Sequence, residues 1–204
     1  MTDSPGAIPV VPRPAASLLL LRTGAAGPEL LMGLRGAGHR FMPNRLVFPG
    51  GAVDPEDYAA PAASEPKPHV LGLLAAETDA TLGRALLLAA TRELEEETGL
   101  SFGTPPALAG LDYLCRAITP AGSPVRFDAR FFVAPAAEAR GAIAGSGELE
   151  DVRWYKLGEA LALDLAFVTR NVLAQLERWL ATDVAIRAAR VAVPVLRERV
   201  WTGR

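Results

Sequence analysis

Residues 92–100 read RELEEETGL and place four carboxylates within five positions, near the end of a helix predicted over residues 81–98. The C-terminal end of a helix carries partial negative charge, so anionic side chains are least favourable there. Like charges four residues apart add a cost of about 0.2–0.5 kcal/mol per pair. Local electrostatics therefore disfavours this segment unless a cation compensates its charge.

Three of these carboxylates can point to one side of the predicted helix. Glu93 and Glu97 lie one turn apart with Glu96 beside them, whereas Glu95 is rotated away. Converging carboxylate oxygens are typical ligands of Mg²⁺ or Mn²⁺. Arg92, four residues before Glu96, can hold that carboxylate in place. The alternative interpretation is an acidic helix face covered by solvent, which is a common arrangement.

Two glycine-containing features flank the acidic segment. Gly99 directly follows the predicted helix and is a natural terminating residue. Upstream, the turn formed by residues 48–51, FPGG, closes a short apolar segment. An acidic helix face in solvent requires neither feature, so the pattern favours a cation-binding site over a solvent-exposed surface.

Together these segments resemble the Nudix box, Gly-x5-Glu-x7-Arg-Glu-U-x-Glu-Glu-x-Gly-U, in which U is a bulky aliphatic residue. Gly51 matches its first glycine, and Asp57 takes the place of its first glutamate. Residues 58–91 stand where the family has only the x7 segment. This interrupted box is similar to the Nudix branch that includes the peroxisomal coenzyme A diphosphatases of animals. Further segments that resemble Nudix enzymes are residues 13–15, 41–43, 126–132 and 148–154.

The resemblance implies a Nudix-type α/β/α sandwich with a mixed central β-sheet. It also implies a hydrolase that cleaves a nucleoside diphosphate linked to another moiety, with water attacking one phosphorus. The implied ligands of Mg²⁺ or Mn²⁺ are Glu93, Glu96, Glu97 and the carbonyl of Gly50. The branch favours coenzyme A or acyl-coenzyme A as substrate. The alternatives are an ADP-ribose- or NADH-type dinucleotide, or a non-catalytic nucleotide sensor, which is expected to lose the box glutamates.

The resemblance leaves two sources for the general base. It is either one of the three box glutamates or an acidic residue on a later loop. Glu148 is the first candidate on such a loop and Glu150 is the second, because both follow the flexible residues 145–147. Both are equally compatible with solvent-exposed loop positions.

Arginines near the turn are candidates for binding substrate phosphates. Arg35, Arg40 and Arg45 precede residues 48–51, and the alternative is ordinary surface charge. Arg126 is a further substrate-binding candidate on a predicted strand, where Asp128 either orients an arginine in a pocket or forms a cross-strand ion pair. Of the neighbouring residues 131 and 132, both phenylalanine, at most one can line a pocket, because adjacent strand residues point to opposite faces.

The order of predicted elements also indicates an α/β sandwich with a mixed sheet. We expect a single domain over residues 1–204, with an extended proline-rich arm at residues 1–14. The inserted residues 58–91 are either a lid that selects the substrate or a surface excursion. Besides residues 81–98, a helix is predicted over residues 165–181, and the strands are predicted over residues 15–22, 29–35, 46–48, 107–118, 125–135, 152–157 and 191–200.

Composition excludes several classes of protein. A net charge of -2 and a pI of about 5.8 do not favour a nucleic-acid partner. No stretch has the roughly 20 apolar residues that a membrane span needs, and the single cysteine, Cys115, fits a reducing compartment. We therefore expect a cytoplasmic protein whose partner is a small-molecule nucleotide. The helix over residues 165–181 packs either within the domain or across a homodimer.

Overall fold

The computed structural model describes residues 10–36, 44–145 and 147–203, and a mixed sheet of nine strands forms its centre. The strands are β1 (Arg13–Gly24), β2 (Gly27–Arg35), β3 (Leu46–Val47), β4 (Gly50–Ala52), β5 (Leu100–Ser101), β6 (Asp112–Ile118), β7 (Phe127–Pro135), β8 (Arg140–Gly141), β9 (Leu149–Lys156), β10 (Val195–Arg197) and β11 (Val200–Thr202). The helices are α1 (Pro68–Ala75), α2 (Ala80–Thr98), α3 (Leu157–Ala162), α4 (Phe167–Ala181) and α5 (Val184–Ala188).

The sheet runs in the order β11-β10-β6-β7-β1-β2-β3, while β4 pairs with β1 and β9 with β2; β5 and β8 form a separate pair. Parallel pairing joins β1 to β7 and β6 to β10, and the other described pairs are antiparallel. The long strand β1 exchanges partners along its length, since it pairs with β2 near its end and with β4 near its start. This exchange brings the glycines of β4 into the middle of the sheet.

Each face of the sheet is covered by helices, as the predicted α/β/α sandwich requires. Alternation along β1 decides which side chains face which layer: Leu18 and Leu20 pack with α1 and α2, and Leu19 packs with α3 and α4. Both layers bury continuous apolar clusters, which is the arrangement expected when a sheet has two covered faces. The predicted fold class is therefore confirmed.

Helix α2 closely matches its prediction. It begins after Asp79, whose side chain accepts a hydrogen bond from the backbone N–H of Leu82 at 2.9 Å. It ends at Gly99, whose φ of 73° is the left-handed conformation that glycine adopts without steric cost. The acidic residues consequently lie in the last turns of a rigid element.

Residues 58–91 do not form a separate unit. They comprise a loop, α1, a short linker and the first turns of α2. Helix α1 buries Val70, Leu73 and Leu74 in the core layer that it shares with α2. Part of the inserted segment therefore belongs to the hydrophobic core.

Several boundaries differ from the sequence predictions. The strand predicted over residues 191–200 is instead the β10–β11 hairpin, and β6 begins only at Asp112. A 3-10 helix at Pro55–Tyr58 and helix α5 were not predicted. Of the predicted arm, residues 1–9 lie outside the described residues, and β1 already begins at Arg13.

Helix α4 packs within the domain. Its residues Val172, Leu173 and Leu176 are buried against the sheet, so packing needs no second subunit, and a homodimer stays a prediction. In the part of the chain that the structure describes, no helix has the length and apolar character needed to cross a membrane.

Truncating a buried leucine of α1 tests whether this helix contributes to the core. Leu73 is 2% exposed, so Leu73→Ala should lower the free energy of unfolding by about 2–5 kcal/mol. Its matched control is Leu71 on the same helix, which is 40% exposed and whose truncation should change stability by about 0.5 kcal/mol or less. Urea denaturation followed by circular dichroism measures both values. Equal effects would mean that α1 is not packed against α2.

Candidate active site

The acidic end of α2 lies against the glycines of β4. Glu97 is 2% exposed, and its Oε2 accepts a hydrogen bond from the backbone N–H of Gly50 at 2.8 Å. Glu93, one turn earlier, is also buried and faces Gly51. The two box segments that are distant in sequence therefore meet in space.

Glycine is required at both positions of β4 because other groups approach the backbone closely. A Cβ on Gly51 would overlap the Glu93 carboxylate, and a Cβ on Gly50 would overlap the Ala16 carbonyl and the Ser17 hydroxyl. Gly50 also has a φ of 155°, which L side chains rarely adopt. These contacts explain the FPGG turn in physical terms.

Arg92 joins the acidic groups to one another. Its guanidinium binds Asp57 through Nε–Oδ1 and Nη2–Oδ2 contacts of 3.0 Å each. The same side chain donates to Glu93 at 3.0 Å and to Glu96 at 2.9 Å. The hydrogen bonds with Asp57, and secondarily the negative charge around it, raise the pKa of Arg92. Asp57, which is buried, thus acts on the acidic cluster through Arg92.

Burial dominates the protonation of the two inner glutamates. Desolvation raises the pKa of Glu97 to about 8, although the Gly50 N–H and the Arg35 charge oppose the shift. Desolvation likewise raises the pKa of Glu93, while Arg92 opposes that shift. Repulsion from Glu148 makes the smallest contribution to both increases.

The other two acidic residues of the segment are exposed. The side chain of Glu96 is 57% exposed and paired with Arg92. Glu95 accepts a hydrogen bond from the Ser101 hydroxyl at 2.9 Å and, as predicted, faces away. Within residues 10–36, 44–145 and 147–203, no three His, Cys, Asp or Glu side chains already stand together in a metal-binding group.

The two later-loop candidates for the general base differ in position. Glu148 directly precedes β9, and its backbone carbonyl accepts a hydrogen bond from the Gly36 N–H at 3.1 Å. Glu150 lies within β9, opposite Leu34 of β2, and is exposed. The backbone of Glu148 is thus bound to the residue directly after Arg35, which contacts the Gly50 carbonyl.

The predicted phosphate-binding arginines do not all gather at the acidic cluster. Arg35 does: its Nη2 donates a long hydrogen bond of 3.5 Å to the Gly50 carbonyl, and its buried Nε has no partner among the described residues. Arg45 instead pairs with Asp164 at 2.6 Å. Arg40 lies outside the described residues. The substrate roles of Arg35, Arg40 and Arg45 stay predictions.

Arg126 lies in a different environment from the one expected. Its guanidinium donates to the backbone carbonyls of Thr119 at 3.0 Å and Val10 at 2.7 Å. On the same strand, Asp128 forms a bidentate pair with Arg116 across to β6, with both contacts at 2.7 Å. Of the two alternatives for Asp128, the structure therefore shows the cross-strand ion pair.

A cavity of about 420 Å³ adjoins the acidic cluster, and Arg35, Gly50 and Gly51 belong to its wall. The cavity lies on the sheet face that carries α4, and most of its lining is apolar. Its aromatic lining residues are Phe48, Phe127, Phe131 and Phe167. Such a volume with few polar groups is typical of a site for a small molecule.

The cavity tests two sequence predictions. Phe131 lines it whereas Phe132 is buried in the opposite core layer, as the strand alternation predicted. No described residue of segment 58–91 contributes to its wall, so the contacts give no support to a substrate-selecting lid.

Sequence reasoning missed most of this cavity. Phe167 at the start of α4 and Arg199 in the β10–β11 turn both line it, although they are far apart in sequence. No motif or spacing signals their convergence. By contrast, the pairing of Asp57 with Arg92 could have been anticipated, because the Nudix box has an acidic residue and an arginine at these two fixed positions.

The donor groups around Gly50 suit a hard divalent cation. Glu93 and Glu97 offer carboxylate oxygens, and the Gly50 carbonyl is directly adjacent. Burial makes the charged forms of both carboxylates unfavourable in the protein alone. A bound cation would reverse that preference, so the residues present fit such an ion.

Comparison with protein families identifies the group to which this chain belongs. The model of the family described as NUDIX domain matches residues 11–176, which include the acidic cluster, β4 and Arg35. The chain belongs to the NUDIX family. This membership confirms the expected family, although the interrupted-box branch stays a prediction.

Similar proteins agree with this NUDIX assignment. A protein of Caenorhabditis elegans named "Putative nudix hydrolase 7" is 38% identical over 88 residues, which are 43% of this chain. The match spans only 22% of that relative's length.

Two solved structures share the fold. A NUDIX hydrolase from Alicyclobacillus acidocaldarius has a TM-score of 0.63 and 24% identity, over 90% of this chain and 98% of that chain. The NUDIX domain of Shewanella oneidensis NrtR, complexed with ADP ribose, has a TM-score of 0.52 and 19% identity, over 84% of this chain and 90% of that chain.

The raised pKa of Glu97 predicts how stability depends on pH in metal-free protein. A buried acid with a folded-state pKa of about 8 and an ordinary value of 4.5 binds its proton more tightly in the folded state. It therefore stabilises the fold fully below pH 4.5, and this contribution is lost as pH rises towards 8. Melting temperatures measured in EDTA should decline across this window.

The matched control for this measurement is an isosteric pair of variants. Glu97→Gln cannot ionise and should flatten the decline, whereas Glu95→Gln, at an exposed position, should preserve it. A decline of equal steepness in Glu97→Gln and the unaltered protein would show that Glu97 is not its source.

Proposed function

We propose that the protein hydrolyses the diphosphate linkage of a nucleoside diphosphate linked to another moiety, with Mg²⁺ or Mn²⁺ as cofactor. The observation that carries this proposal is the meeting of buried Glu93 and Glu97 with the Gly50–Gly51 backbone. The NUDIX membership of the chain and the hydrolase names of its relatives support it.

Different residues of the chain would bind the cation and position its ligands. Glu93, Glu96, Glu97 and the Gly50 carbonyl would hold the cation, which when bound neutralises phosphate charge and makes a water molecule more acidic. Arg92 holds Glu93 and Glu96 in place, because its Nη1 donates to both carboxylates.

Two further groups would act on the substrate and the water. Arg35 lies between the acidic cluster and the cavity, where a guanidinium can bind a phosphate oxygen. Glu148 is the proposed general base, because its backbone carbonyl binds the N–H of Gly36, directly after the Arg35 that contacts Gly50. The water oxygen forms a bond to one phosphorus and its proton passes to this carboxylate. The bond from that phosphorus to the bridging oxygen breaks, and the second phosphate leaves.

We propose the substrate first as a general class and then as specific compounds. A small-molecule nucleotide in general is supported by the family and by the ADP-ribose complex of the similar NrtR domain. Coenzyme A or acyl-coenzyme A is the first specific candidate, and its support is the interrupted Nudix box alone. An ADP-ribose- or NADH-type dinucleotide is the second.

A substrate panel tests this function. Purified protein is incubated with Mg²⁺ or Mn²⁺ and with coenzyme A, acyl-coenzyme A, ADP-ribose, NADH or nucleoside triphosphates, and the products are separated by chromatography. We expect two phosphate-containing products from a diphosphate-linked substrate. Binding without turnover on every compound would instead favour the nucleotide sensor.

Removing one buried carboxylate should abolish most turnover. We expect Glu97→Gln to lower kcat by more than about 100-fold, because even partners outside the first shell of a metal contribute roughly 10–100-fold. The same substitution at exposed Glu95, which contacts Ser101, is the control and should retain the rate. Wild-type turnover by a folded Glu97→Gln protein would remove this residue from the proposed site.

A further inference from the structure

We infer that a second cavity, at the opposite end of β1 from the acidic cluster, binds a small molecule in which a phosphate or carboxylate group is attached to an apolar body. The start of α1, the end of α4 and helix α5 contribute to its wall. Its volume of about 800 Å³ lies within the range of pockets that enclose small ligands. The inference goes beyond the proposed function and does not depend on it.

The second cavity is separate from the one beside the acidic cluster. On β1, Ala15 and Ser17 line the first cavity, whereas Leu21 and Thr23 line the second. Ser17 and Leu21 are four residues apart on the strand, which corresponds to roughly 13 Å. The two cavities have no described lining residue in common. A ligand of the second cavity is therefore not held by the groups proposed for hydrolysis.

The inserted segment, residues 58–91, supplies the start of α1 to this wall. Lys67, Pro68 and His69 all line the second cavity. The first turn of α1 has no acidic residue and no side-chain cap, and among the described residues nothing accepts a hydrogen bond from the His69 N–H. The N-terminal end of a helix carries partial positive charge, so a lysine is unfavourable there unless an anion compensates it.

Unpartnered donors on the opposite wall favour the same kind of ligand. The Nε of Arg187 and the Nε1 of Trp179 are buried and have no hydrogen-bond partner in the described part of the chain. Both residues line the second cavity. Because buried polar groups are usually paired, two such donors in one wall indicate an acceptor from outside the protein. An oxyanion can accept from both.

Stacking on Trp179 holds Arg187 in a position to bind an anion. The guanidinium carbon lies 3.8 Å from the centroid of the indole ring. A stacked guanidinium keeps its N–H donors in its own plane, where they match the oxygens of a phosphate or carboxylate. The contact also orders the side chain before a ligand arrives, which lowers the entropic cost of binding.

The carboxylate in the described wall, that of Asp112, is already compensated. It lies 3.4 Å from the Nε2 of His69 and 3.6 Å from an Nη2 of Arg190. It also accepts a hydrogen bond from the Tyr113 N–H at 2.8 Å. Asp112 therefore does not oppose the binding of an anion.

Positive charge remains available in the wall. No carboxylate of the described residues forms an ion pair with Lys67 or Arg187. Arg22 of the same wall already has a carboxylate partner. The nearby carboxylates of Glu138 and Asp183 belong to exposed residues outside the wall, where solvent screens their charge.

Apolar residues complete the second cavity and suit the body of the ligand. Val184, which lines it, is 68% exposed although its side chain is apolar. Covering apolar surface contributes about 25 cal/mol per Å² to binding before its costs are counted. The other apolar residues used in this argument are Leu21, Val133, Ala134 and Leu180.

The indole N–H of Trp179 reports binding at this site directly. Isotopically labelled protein is titrated in EDTA with phenyl phosphate, and NMR follows the indole signals of Trp154, Trp179 and Trp201, with Trp179→Phe for assignment. We expect a saturable downfield shift for Trp179, because its N–H gains an acceptor. Trp201 already donates to Asn171 at 3.0 Å and should not shift. No saturable shift of Trp179, or equal shifts of all three signals, would overturn the inference.

Matched ligands identify the groups that the site recognises. Benzoate carries a carboxylate in place of the phosphate, benzyl alcohol has no charge, and inorganic phosphate has no ring. The tighter of phenyl phosphate and benzoate identifies the preferred anion. We expect benzyl alcohol and inorganic phosphate to bind at least about tenfold more weakly than this anion. Equal affinity for benzyl alcohol would overturn the anion site, and equal affinity for inorganic phosphate would overturn the apolar part.

Variants locate the anion. Arg187→Gln and Lys67→Gln should each weaken binding of the tighter anion about tenfold, because each removes a charged donor. Lys67 is exposed, so its substitution leaves the core intact. Arg178→Gln is the matched control, because Arg178 is exposed on α4 and does not line the second cavity. Wild-type affinity in both Arg187→Gln and Lys67→Gln would contradict the inference.

A substitution in the first cavity separates the two sites. The Trp179 titration should be unchanged in Arg35→Gln, because Arg35 lines only the first cavity. Loss of the Trp179 shift in this variant would assign the probe to the first cavity and overturn the inference. The titrations need no turnover, so the absence of hydrolysis in the substrate panel would overturn the proposed function alone.

Discussion

The geometry of the acidic site depends on the guanidinium of Arg92. This one guanidinium binds Asp57 on the 3-10 helix after β4 and both Glu93 and Glu96 on α2, so it connects the two helices. Its Nη2 also donates to the Ala52 carbonyl at 3.2 Å. A lysine could not make these contacts, because an ammonium lacks the fork geometry. The positive charge of Arg92 therefore orders Asp57, Glu93 and Glu96, whereas Glu97 is held by the Gly50 N–H.

Helical periodicity made much of this site predictable from the sequence. The i, i+4 spacing correctly gave the Arg92–Glu96 pair, and the rotation of Glu95 away from its neighbours follows from the same geometry. Periodicity fixes the direction in which a side chain leaves the helix, but it does not fix its partner. Glu96 therefore shares a side with Glu93 and Glu97, yet its carboxylate lies largely in solvent.

Features that depend on distant chain segments could not be read from the sequence. Arg126 is a candidate phosphate ligand by residue type, and only the structure shows that its Nε and Nη1 bind the carbonyls of Thr119 and Val10; its substrate role stays a prediction. The cavity combines β1, β4, the β6–β7 turn, the start of α4 and the β10–β11 turn, and no local pattern encodes such a meeting. Likewise, α1 reads as part of an inserted segment, and only its tertiary packing shows it to be core.

The parallel pairing of β10 with β6 has a consequence for the order of events during biosynthesis. A ribosome releases residues 195–202 after every other strand of the sheet, so a nascent chain can assemble β1, β4 and α2 before the hairpin exists. The carboxylates of α2 and the glycines of β4 can then come together while the chain is still attached to the ribosome. The part of the cavity wall that Leu196 and Arg199 contribute cannot form at that stage. Completion of the cavity wall therefore follows the pairing of the earlier strands.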